Sequence, residues 1–484
     1  MADFDLVIRG GRVATATDMF EADVGIICGR IAALGKHLAG AGREIDARGR
    51  LVLPGGVDTH CHIEEPEGGG VRNADSFASA TASAAAGGTT TVIPFSTQTK
   101  GGTVTQNLRD YHRKAQQALI DYSFHMIISD PSEAVLAELP GLIEEGHRSL
   151  KIFLTYDNIV LDDAQTLKVL AVARRCGALV CIHAENHAAI AFLTEALERA
   201  GLTNPKYHAW AKPMAVEREA VHRVIALAEL LDTPIHIFHV SGRESAEEIR
   251  RARSRGLKVT GETCPQYLVL TEADLDRPGF EGAKFLCSPA PRTAADQEAL
   301  WGYMRDGTIG VISSDHAPNR FDDPHGKKVA GEGAPFSAIP NGVPGLETRL
   351  PLLFSEGVSK GRIDVPAFVA LSATNPARLF GLHPRKGTIA VGADADIAIW
   401  DPHKKVTIRN ANLHHQVDYT VYEGIEVTGW PEVTLSRGEI VSDHGQIKGR
   451  PGHGRFLPRA PYDEVRPLGR LVTPFDPVSG KIAP

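Results

Sequence analysis

Short apolar runs alternate with longer amphipathic segments through the middle of this chain. Eight runs are candidate strands, and they cover residues 57–62, 90–95, 122–128, 150–154, 178–183, 235–239, 258–263 and 309–314. The segments between them carry apolar residues at helical spacing, for example at 164–175, 216–231 and 245–255. Eight strands that each precede a helical segment predict an α/β fold, a (β/α)₈ TIM-like barrel over residues 57–380.

The two ends of the chain show a different pattern, of short strands separated by tight turns. Residues 5–9 and 22–27 each precede a glycine-containing turn, and residues 396–400, 427–430 and 434–441 have the same character. The strands at either end are too few for a stable sheet. We therefore predict one small β-sandwich domain made from residues 1–56 and 381–460, followed by a proline-rich tail at 461–484.

Side chains that bind metals stand at the ends of the predicted strands. The first strand ends in His60 and His62, and the i, i+2 spacing on a strand turns both imidazoles to the same side. Lys151 lies inside an apolar strand, where its charge is costly unless it is removed or used. Later strands end in His183, His239 and Asp315. Since barrel active sites lie at the C-terminal strand ends, this set predicts a metal-dependent active site.

Composition and net charge argue against several kinds of partner for this protein. The 484 residues are 43% hydrophobic and 23% charged, which is typical of a globular chain. A net charge of -7 without a basic block argues against nucleic acid as a partner. The apolar runs are too short to cross a membrane, and the first residues lack a signal-peptide pattern, so we expect a cytoplasmic protein without a membrane partner. The six cysteines form no Cys-x-x-Cys pair and are expected to be reduced thiols.

Several motifs resemble those of the cyclic amidohydrolases of the amidohydrolase superfamily, most closely the hydantoinases and dihydropyrimidinases. The similarity extends over almost the whole chain, and its most specific motifs lie at residues 55–62, 151–156, 183–186, 287–289, 314–316 and 339–342. Weaker similarity lies at 417–419, 423–424 and 451–454. The resemblance implies a hydrolase acting on the C–N bonds of small cyclic amides, which opens hydantoins or dihydropyrimidines to N-carbamoyl amino acids.

The resemblance also implies a centre of two divalent metal ions. Zinc is the usual metal, with manganese or cobalt as alternatives, and the bridges would be a hydroxide and a carboxylated Lys151 formed with carbon dioxide. A bare ammonium would repel both ions, whereas a carbamate offers one oxygen to each. Besides this carbamate, the implied ligands are His60, His62 and Asp315 for one ion and His183 and His239 for the other.

The same resemblance implies roles around the scissile bond. The bridging hydroxide would attack the ring carbonyl, and Tyr156 would donate a hydrogen bond to the developing oxyanion. Asp315 would take the hydroxide proton and deliver it to the leaving ring nitrogen. Backbone groups at Ser288 and Asn341 would bind the amide edge of the ring. His316 is expected to orient neighbouring groups. Family analogy further implies a homotetramer, with the tail at 461–484 as a contact between subunits.

Three alternatives stay open from the sequence. A dihydroorotase would carry an arginine two residues after the His-x-His pair, where this chain has Glu64. An allantoinase is closer, because residues 63–66 resemble the acidic, proline-bearing stretch of that group, although the segment at 339–342 favours a hydantoinase. Non-catalytic scaffolds of the same fold have lost the metal ligands, whereas all six positions are filled here.

Two loops bear on the preferred substrate. The loop at 64–72 carries Glu64, Glu65 and Glu67, three consecutive glycines and no aromatic residue. The loop at 156–161 offers aliphatic residues where a phenyl-binding wall would be expected. We therefore predict that small or polar-substituted rings are preferred to phenylhydantoin, and that anionic substituents are disfavoured.

Overall fold

The chain begins with short strands joined by tight turns. The structure is a computed structural model, and it describes residues 3–66 and 68–482. The first strands are β1 (Phe4–Ala14), β2 (Met19–Ile27), β3 (Arg30–Gly35), β4 (Ala41–Asp46) and β5 (Leu51–Pro54). Between β2 and β3, Gly29 has φ of 75°, a conformation that glycine adopts without steric cost, so the hairpin turns sharply there.

A parallel barrel follows. Its strands are β6 (Gly56–Cys61), β7 (Thr89–Thr97), β8 (Asp121–Tyr122), β9 (His125–Ile127), β10 (Ser149–Phe153), β11 (Leu179–His183), β12 (Ile235–Ile237), β13 (Val259–Thr263) and β14 (Ile309–Ile312). They pair in chain order, and β8 and β9 are two parts of one interrupted strand beside β7. The predicted (β/α)₈ architecture is confirmed, with a strand at each of the eight predicted positions.

The barrel closes where the chain after β14 meets β6. The backbone N–H of Asp315 donates to the carbonyl of His60 at 2.9 Å, and the N–H of His62 donates to the carbonyl of His316 at 2.7 Å. These hydrogen bonds join the first and last strand ends of the barrel. Closure therefore brings the His-x-His segment against the segment that contains Asp315.

Helices connect the strands. Within the described residues the α-helices are α1 (Phe77–Ala86), α2 (Val104–Ala115), α3 (Glu133–Glu144), α4 (Asp163–Cys176), α5 (His187–Arg199), α6 (Tyr207–Ala211), α7 (Met214–Leu230), α8 (Arg243–Ser254), α9 (Gln266–Val269), α10 (Ala294–Arg305), α11 (Arg349–Leu353), α12 (Val365–Val369) and α13 (Asn375–Leu379). The three helices cited from the sequence are confirmed as α4, α7 and α8. The sequence did not predict α5, whose residues are all at least partly exposed and which begins where the Asn186 side chain accepts from the N–H of Ala189.

The last strands return to the first ones. They are β15 (Ile397–Thr407), β16 (Glu426–Ser436), β17 (Glu439–Asp443) and β18 (Gln446–Ile447). One nine-stranded sheet has the order β18-β17-β16-β15-β5-β1-β2-β3, with β4 beside β1. Apolar residues of both ends share a core that is separate from the barrel core, as predicted for a small β-sandwich made from the two ends. We retain as a proposal the limits 1–56 with 381–460 for this domain and 57–380 for the barrel.

One predicted strand of this sheet is wrong. The segment 434–441 contains the end of β16 and the start of β17 instead of a single strand. Arg437 and Gly438 both have positive φ, of 47° and 76°, and they reverse the chain between the two strands. An arginine in this conformation is uncommon, so Arg437 is a weak signal for a turn.

The tail contacts the barrel of its own chain at several points. The Asp232 carboxylate accepts hydrogen bonds from the backbone N–H groups of Leu468 at 3.1 Å and Gly469 at 2.6 Å. Further on, β19 (Phe475–Asp476) and β20 (Lys481–Ile482) form a short hairpin. A contact between this tail and a neighbouring subunit stays a prediction. A search of residues 3–66 and 68–482 finds no helix with the length and apolar character that crossing a membrane requires.

Candidate active site

A cleft of about 600 Å³ opens at the C-terminal ends of the barrel strands. The structure brings every predicted site residue to its wall, namely His60, His62, Lys151, Tyr156, His183, His239, Ser288, Asp315 and Asn341. The loops at 64–72 and 156–161 also contribute to this wall. The cleft therefore unites side chains that the sequence could place only at separate strand ends.

The first group of candidate metal ligands is formed by His60, His62 and Asp315. Asp315 Oδ1 lies 3.1 Å from His60 Nε2 and 3.5 Å from His62 Nε2, and the three donor atoms lie within 4.8 Å of one another. Burial would raise the pKa of Asp315, but the adjacent imidazoles outweigh it and hold this pKa well below its usual value. Three donors that converge on one point can hold a divalent ion.

The second group of candidate metal ligands is formed by His183 and His239. His183 Nδ1 and His239 Nε2 face each other at 2.8 Å. Burial lowers the pKa of His183 to about 4 and that of His239 well below its usual value, so both rings are neutral near pH 7. Neutral imidazole is the metal-binding form. Glu185 lies 2.8 Å from His183 Nε2, and this contact orients Nδ1 towards the cleft.

Lys151 lies on β10, between His62 and His183 in the chain. It is fully buried, and within the part of the chain that the structure describes its Nζ has no hydrogen-bond partner. The rings of Phe238 and Phe153 lie 4.2 and 4.6 Å from Nζ. Burial lowers the pKa of Lys151 to about 7, which favours the uncharged amine. Two histidine groups, an aspartate and an unpartnered buried amine together fit the binding of divalent metal.

Glu262 is a residue of this site that the sequence analysis missed. It is fully buried on β13, and its Oε1 lies 2.6 Å from His60 Nδ1, so His60 is held from the side opposite Asp315. Burial would raise the pKa of Glu262, but His60 and His236 hold it well below its usual value. A carboxylate at the C-terminal end of a predicted barrel strand was a usable signal, because chemistry is expected at that end.

Tyr156 faces the cleft from the loop after β10. Its φ of 73° is strained for a residue other than glycine, and strain of this kind clusters at functional sites. Burial raises the pKa of Tyr156, so the hydroxyl keeps its proton near neutral pH and can donate it in a hydrogen bond. Asn341 Nδ2 lies 3.4 Å from the Tyr156 hydroxyl, which places the two residues side by side.

Two buried charged residues, Lys212 and Glu185, contact the side chain of Ser288. Lys212 Nζ donates to Ser288 Oγ at 2.6 Å and to Glu185 Oε2 at 3.2 Å, and Ser288 Oγ also donates to Glu185. The side chain of Ser288 is therefore engaged within the protein. This arrangement ties Ser288 to Glu185, the partner of His183.

In the loop at 64–72, only one of the two described glutamates borders the cleft. Glu65 Oε1 lies 2.9 Å from His62 Nδ1, and together with Asp315 it raises the pKa of His62 to about 10 against the opposing effect of burial. Glu64 instead accepts from the N–H of Phe77 at the start of α1. Glu67 lies outside the described residues. The carboxylates around His62 favour a positive charge at this position. A divalent cation would supply such a charge.

His316 lies next to Asp315 and is fully buried. Its Nε2 lies 3.1 Å from Asp75 Oδ2, and its Nδ1 accepts from the N–H of Gly345 at 3.2 Å. These two contacts fix the imidazole on the outer side of the barrel end. The expectation that His316 orients its neighbours stays a prediction.

Sequence comparison matches this chain to a known family and to named relatives. The profile of the amidohydrolase family matches residues 51–441. The D-hydantoinase of Rhizobium radiobacter is 43% identical over 462 residues, covering 95% of this chain and 100% of that protein. The D-hydantoinase of Geobacillus stearothermophilus is 45% identical over 460 residues, covering 94% of this chain and 97% of that protein.

A solved structure has the same fold as this chain. The crystal structure of dihydropyrimidinase from Brevibacillus agri superimposes with a TM-score of 0.92 at 42% identity, covering 94% of this chain and 99% of that one. The similarity thus includes both the barrel and the small β-sandwich. This chain belongs to the hydantoinase and dihydropyrimidinase family of the amidohydrolase superfamily.

Proposed function

We propose that this protein hydrolyses cyclic amides of the hydantoin and dihydropyrimidine type to N-carbamoyl amino acids. The observation that carries the proposal is the convergence of His60, His62 and Asp315 in one cleft with His183, His239 and the buried, unpartnered Lys151. Full-length similarity to proteins named D-hydantoinase and dihydropyrimidinase supports the same class of substrate.

Two divalent ions, with zinc as the first choice, would be held by these residues. We propose that Lys151 is carboxylated, because its neutral amine can bond to the carbon of carbon dioxide and release one proton, leaving an anion with two oxygen ligands. His60, His62 and Asp315 would serve one ion and His183 and His239 the other. The chemistry that such ions supply is polarisation of a carbonyl and activation of a water near neutral pH.

The chain's own residues would carry the proton and the charge. Asp315 would accept the proton of the attacking water and deliver it to the ring nitrogen as the C–N bond breaks. Tyr156 would donate its hydroxyl hydrogen to the carbonyl oxygen as negative charge develops there. Backbone groups at Ser288 and Asn341, which border the same cleft, would bind the amide edge of the ring and fix the carbonyl in line with Tyr156.

The test of this proposal is a hydrolysis screen with added zinc or manganese. Dihydrouracil, hydantoin, phenylhydantoin, a carboxylate-bearing hydantoin, allantoin and cyclic imides are compared by kcat/KM. Release of the ring-opened carbamoyl acid from hydantoin or dihydrouracil is expected. Activity confined to allantoin would instead support the allantoinase alternative, and a metal-free, inactive protein would support the scaffold.

The same screen tests the substrate preference. Val71 and Ile159 supply small aliphatic surface to the cleft, and Glu65 adds a carboxylate. Apolar contact contributes about 25 cal/mol per Å², so the absence of an aromatic residue from the loop at 64–72 would lower phenyl recognition by about 1–2 kcal/mol. We expect higher kcat/KM for hydantoin and dihydrouracil than for phenylhydantoin, and the lowest value for the carboxylate-bearing ring. A preference for either of the last two would contradict this interpretation of the loops.

We also propose that the protein is a homotetramer. The exposed apolar side chains of Phe192, Trp210 and Phe475 would then find partners on other subunits. Sedimentation equilibrium at micromolar concentration should give four chains per particle. A chain shortened before residue 461 would show whether the tail contributes, and a full-length protein that sediments only as a monomer would refute the proposal.

A further inference from the structure

A buried lysine joins the two segments that border the substrate side of the cleft. Lys327 is 1% exposed and lies in the long connection between β14 and α11. Its Nζ donates to three backbone carbonyls, those of Leu286 at 3.1 Å, Pro340 at 2.7 Å and Gly342 at 2.8 Å. An ammonium has three donors, so these three acceptors satisfy it completely.

The three carbonyls flank the residues expected to bind the ring. Leu286 lies two residues before Ser288, and Pro340 and Gly342 stand on either side of Asn341. The N–H of Gly342 also donates to the carbonyl of Leu286 at 2.8 Å, so the two segments meet directly beneath Lys327. The ammonium therefore fixes the separation between the backbone at Ser288 and the backbone at Asn341.

The turn that Lys327 holds has little freedom of its own. Gly342 has φ of 118°, and a Cβ there would lie 2.3 Å from the Cβ of Ala317. Asn319 Nδ2 donates to the carbonyl of Asn341 at 3.0 Å and supports the same turn. Asn341 is thus fixed by contacts on both of its neighbours and on its own carbonyl.

The ammonium of Lys327 lies in the interior of the protein, where a charge is energetically unfavourable. Burial lowers the pKa of Lys327 to about 7, but the three carbonyls at 2.7–3.1 Å from Nζ match the three donors of the ammonium, whereas a neutral amine has only two. Burying a charge without an opposite charge beside it is costly. Lys327 is absent from the cleft wall, so it does not contact a bound ring directly. Its contribution must pass through the backbone that it holds.

We propose that Lys327 is a positioning residue for substrate recognition, holding the two backbone segments at the spacing at which both can bind one ring edge. The inference rests on the proposed function for the identity of the ring. Lys212 completes the arrangement from the other side by fixing the side chain of Ser288. The two backbone segments that would bind the ring edge are therefore held in place before the substrate binds, which reduces the entropy lost on association.

The test compares Lys327→Met with Lys328→Met. Methionine keeps the length of the side chain but donates to none of the three carbonyls. Lys328 is the matched control, because it is the next residue and its ion pairs with Asp322 and Glu332 lie away from the ring-binding segments. We expect Lys327→Met to raise KM for hydantoin about 10-fold or more, with a smaller change in kcat, while Lys328→Met stays near the wild-type values.

A second measurement does not depend on turnover. Amide hydrogen exchange of the segments 285–289 and 339–343 should speed up in Lys327→Met relative to the wild type, and exchange of the barrel strands should not. If Lys327→Met does not fold, Lys327→Gln carries the test, since its amide keeps two donors and should give intermediate exchange and intermediate KM.

The outcomes separate the two proposals. A wild-type protein that opens no cyclic amide would refute the proposed function, and exchange would still report on Lys327. An active wild type, with unchanged KM and unchanged exchange in Lys327→Met or Lys327→Gln, would overturn the positioning role. Equal losses of kcat and stability in the Lys327 variants, without a selective rise in KM, would also overturn it and leave Lys327 a purely structural residue.

Discussion

Replacing Lys151 by alanine should remove most of the bound metal and lower the turnover of cyclic amides by at least about 10³-fold. The proposed carbamate would offer an oxygen to each ion, so its loss would weaken both sites together. Lewis-acid stabilisation by metals amounts to several kcal/mol, and each 1.36 kcal/mol is a factor of ten in rate. Metal analysis of the purified variant and its kcat on the best substrate of the screen are the measurements.

The control for this variant is Lys168→Ala, which removes an exposed lysine from α4 and should leave metal content and rate unchanged. Short carboxylic acids or bicarbonate are expected to restore part of the activity of Lys151→Ala, because they can supply the missing anionic oxygens. A Lys151→Ala protein that retains about two metal ions per chain and the full rate would show that the lysine is not a bridge.

Asp315→Asn should reduce kcat by at least about 10²-fold, the lower range for removal of a general acid or base. The amide keeps the size of the side chain and can still offer an oxygen close to His60 and His62, whose ring nitrogens lie 3.1 and 3.5 Å from Asp315 Oδ1. It cannot accept the proton of the attacking water. The loss should therefore appear in kcat, with metal content largely retained.

Asp157→Asn is the matched control, because Asp157 also borders the cleft but its side chain is 91% exposed. It should keep nearly the wild-type kcat. Near-normal turnover by metal-loaded Asp315→Asn would assign proton transfer to another group. A loss of metal in parallel with the loss of rate would instead make Asp315 chiefly a ligand.

The positions of the proposed metal ligands along the chain could be predicted because each depends on a local pattern. Apolar runs of strand length and amphipathic segments located all eight barrel strands. His60 and His62 were predicted to point together from strand alternation alone, and Lys151 was notable because it interrupts an apolar strand. Recognition of the family then depended on motifs that are contiguous in sequence.

The contacts between these side chains required the closed barrel. Asp315 meets His60 only because the chain after β14 pairs with β6, the first strand of the barrel. The left-handed backbone at Tyr156, His239 and Asp315 is stabilised by surrounding structure against its own local preference, so no propensity could predict it.

By itself, the sequence determined the order of strands and helices, the barrel class and the family, because periodicity and contiguous motifs act over a few residues. The tertiary structure alone decided that Glu262 supports His60, that Ser288 is bound to Lys212, and that Lys327 holds the turn at Asn341. Such contacts join residues far apart in the chain. They depend on strand register and on loops folding back over the barrel end, which local patterns of apolar and polar residues do not specify.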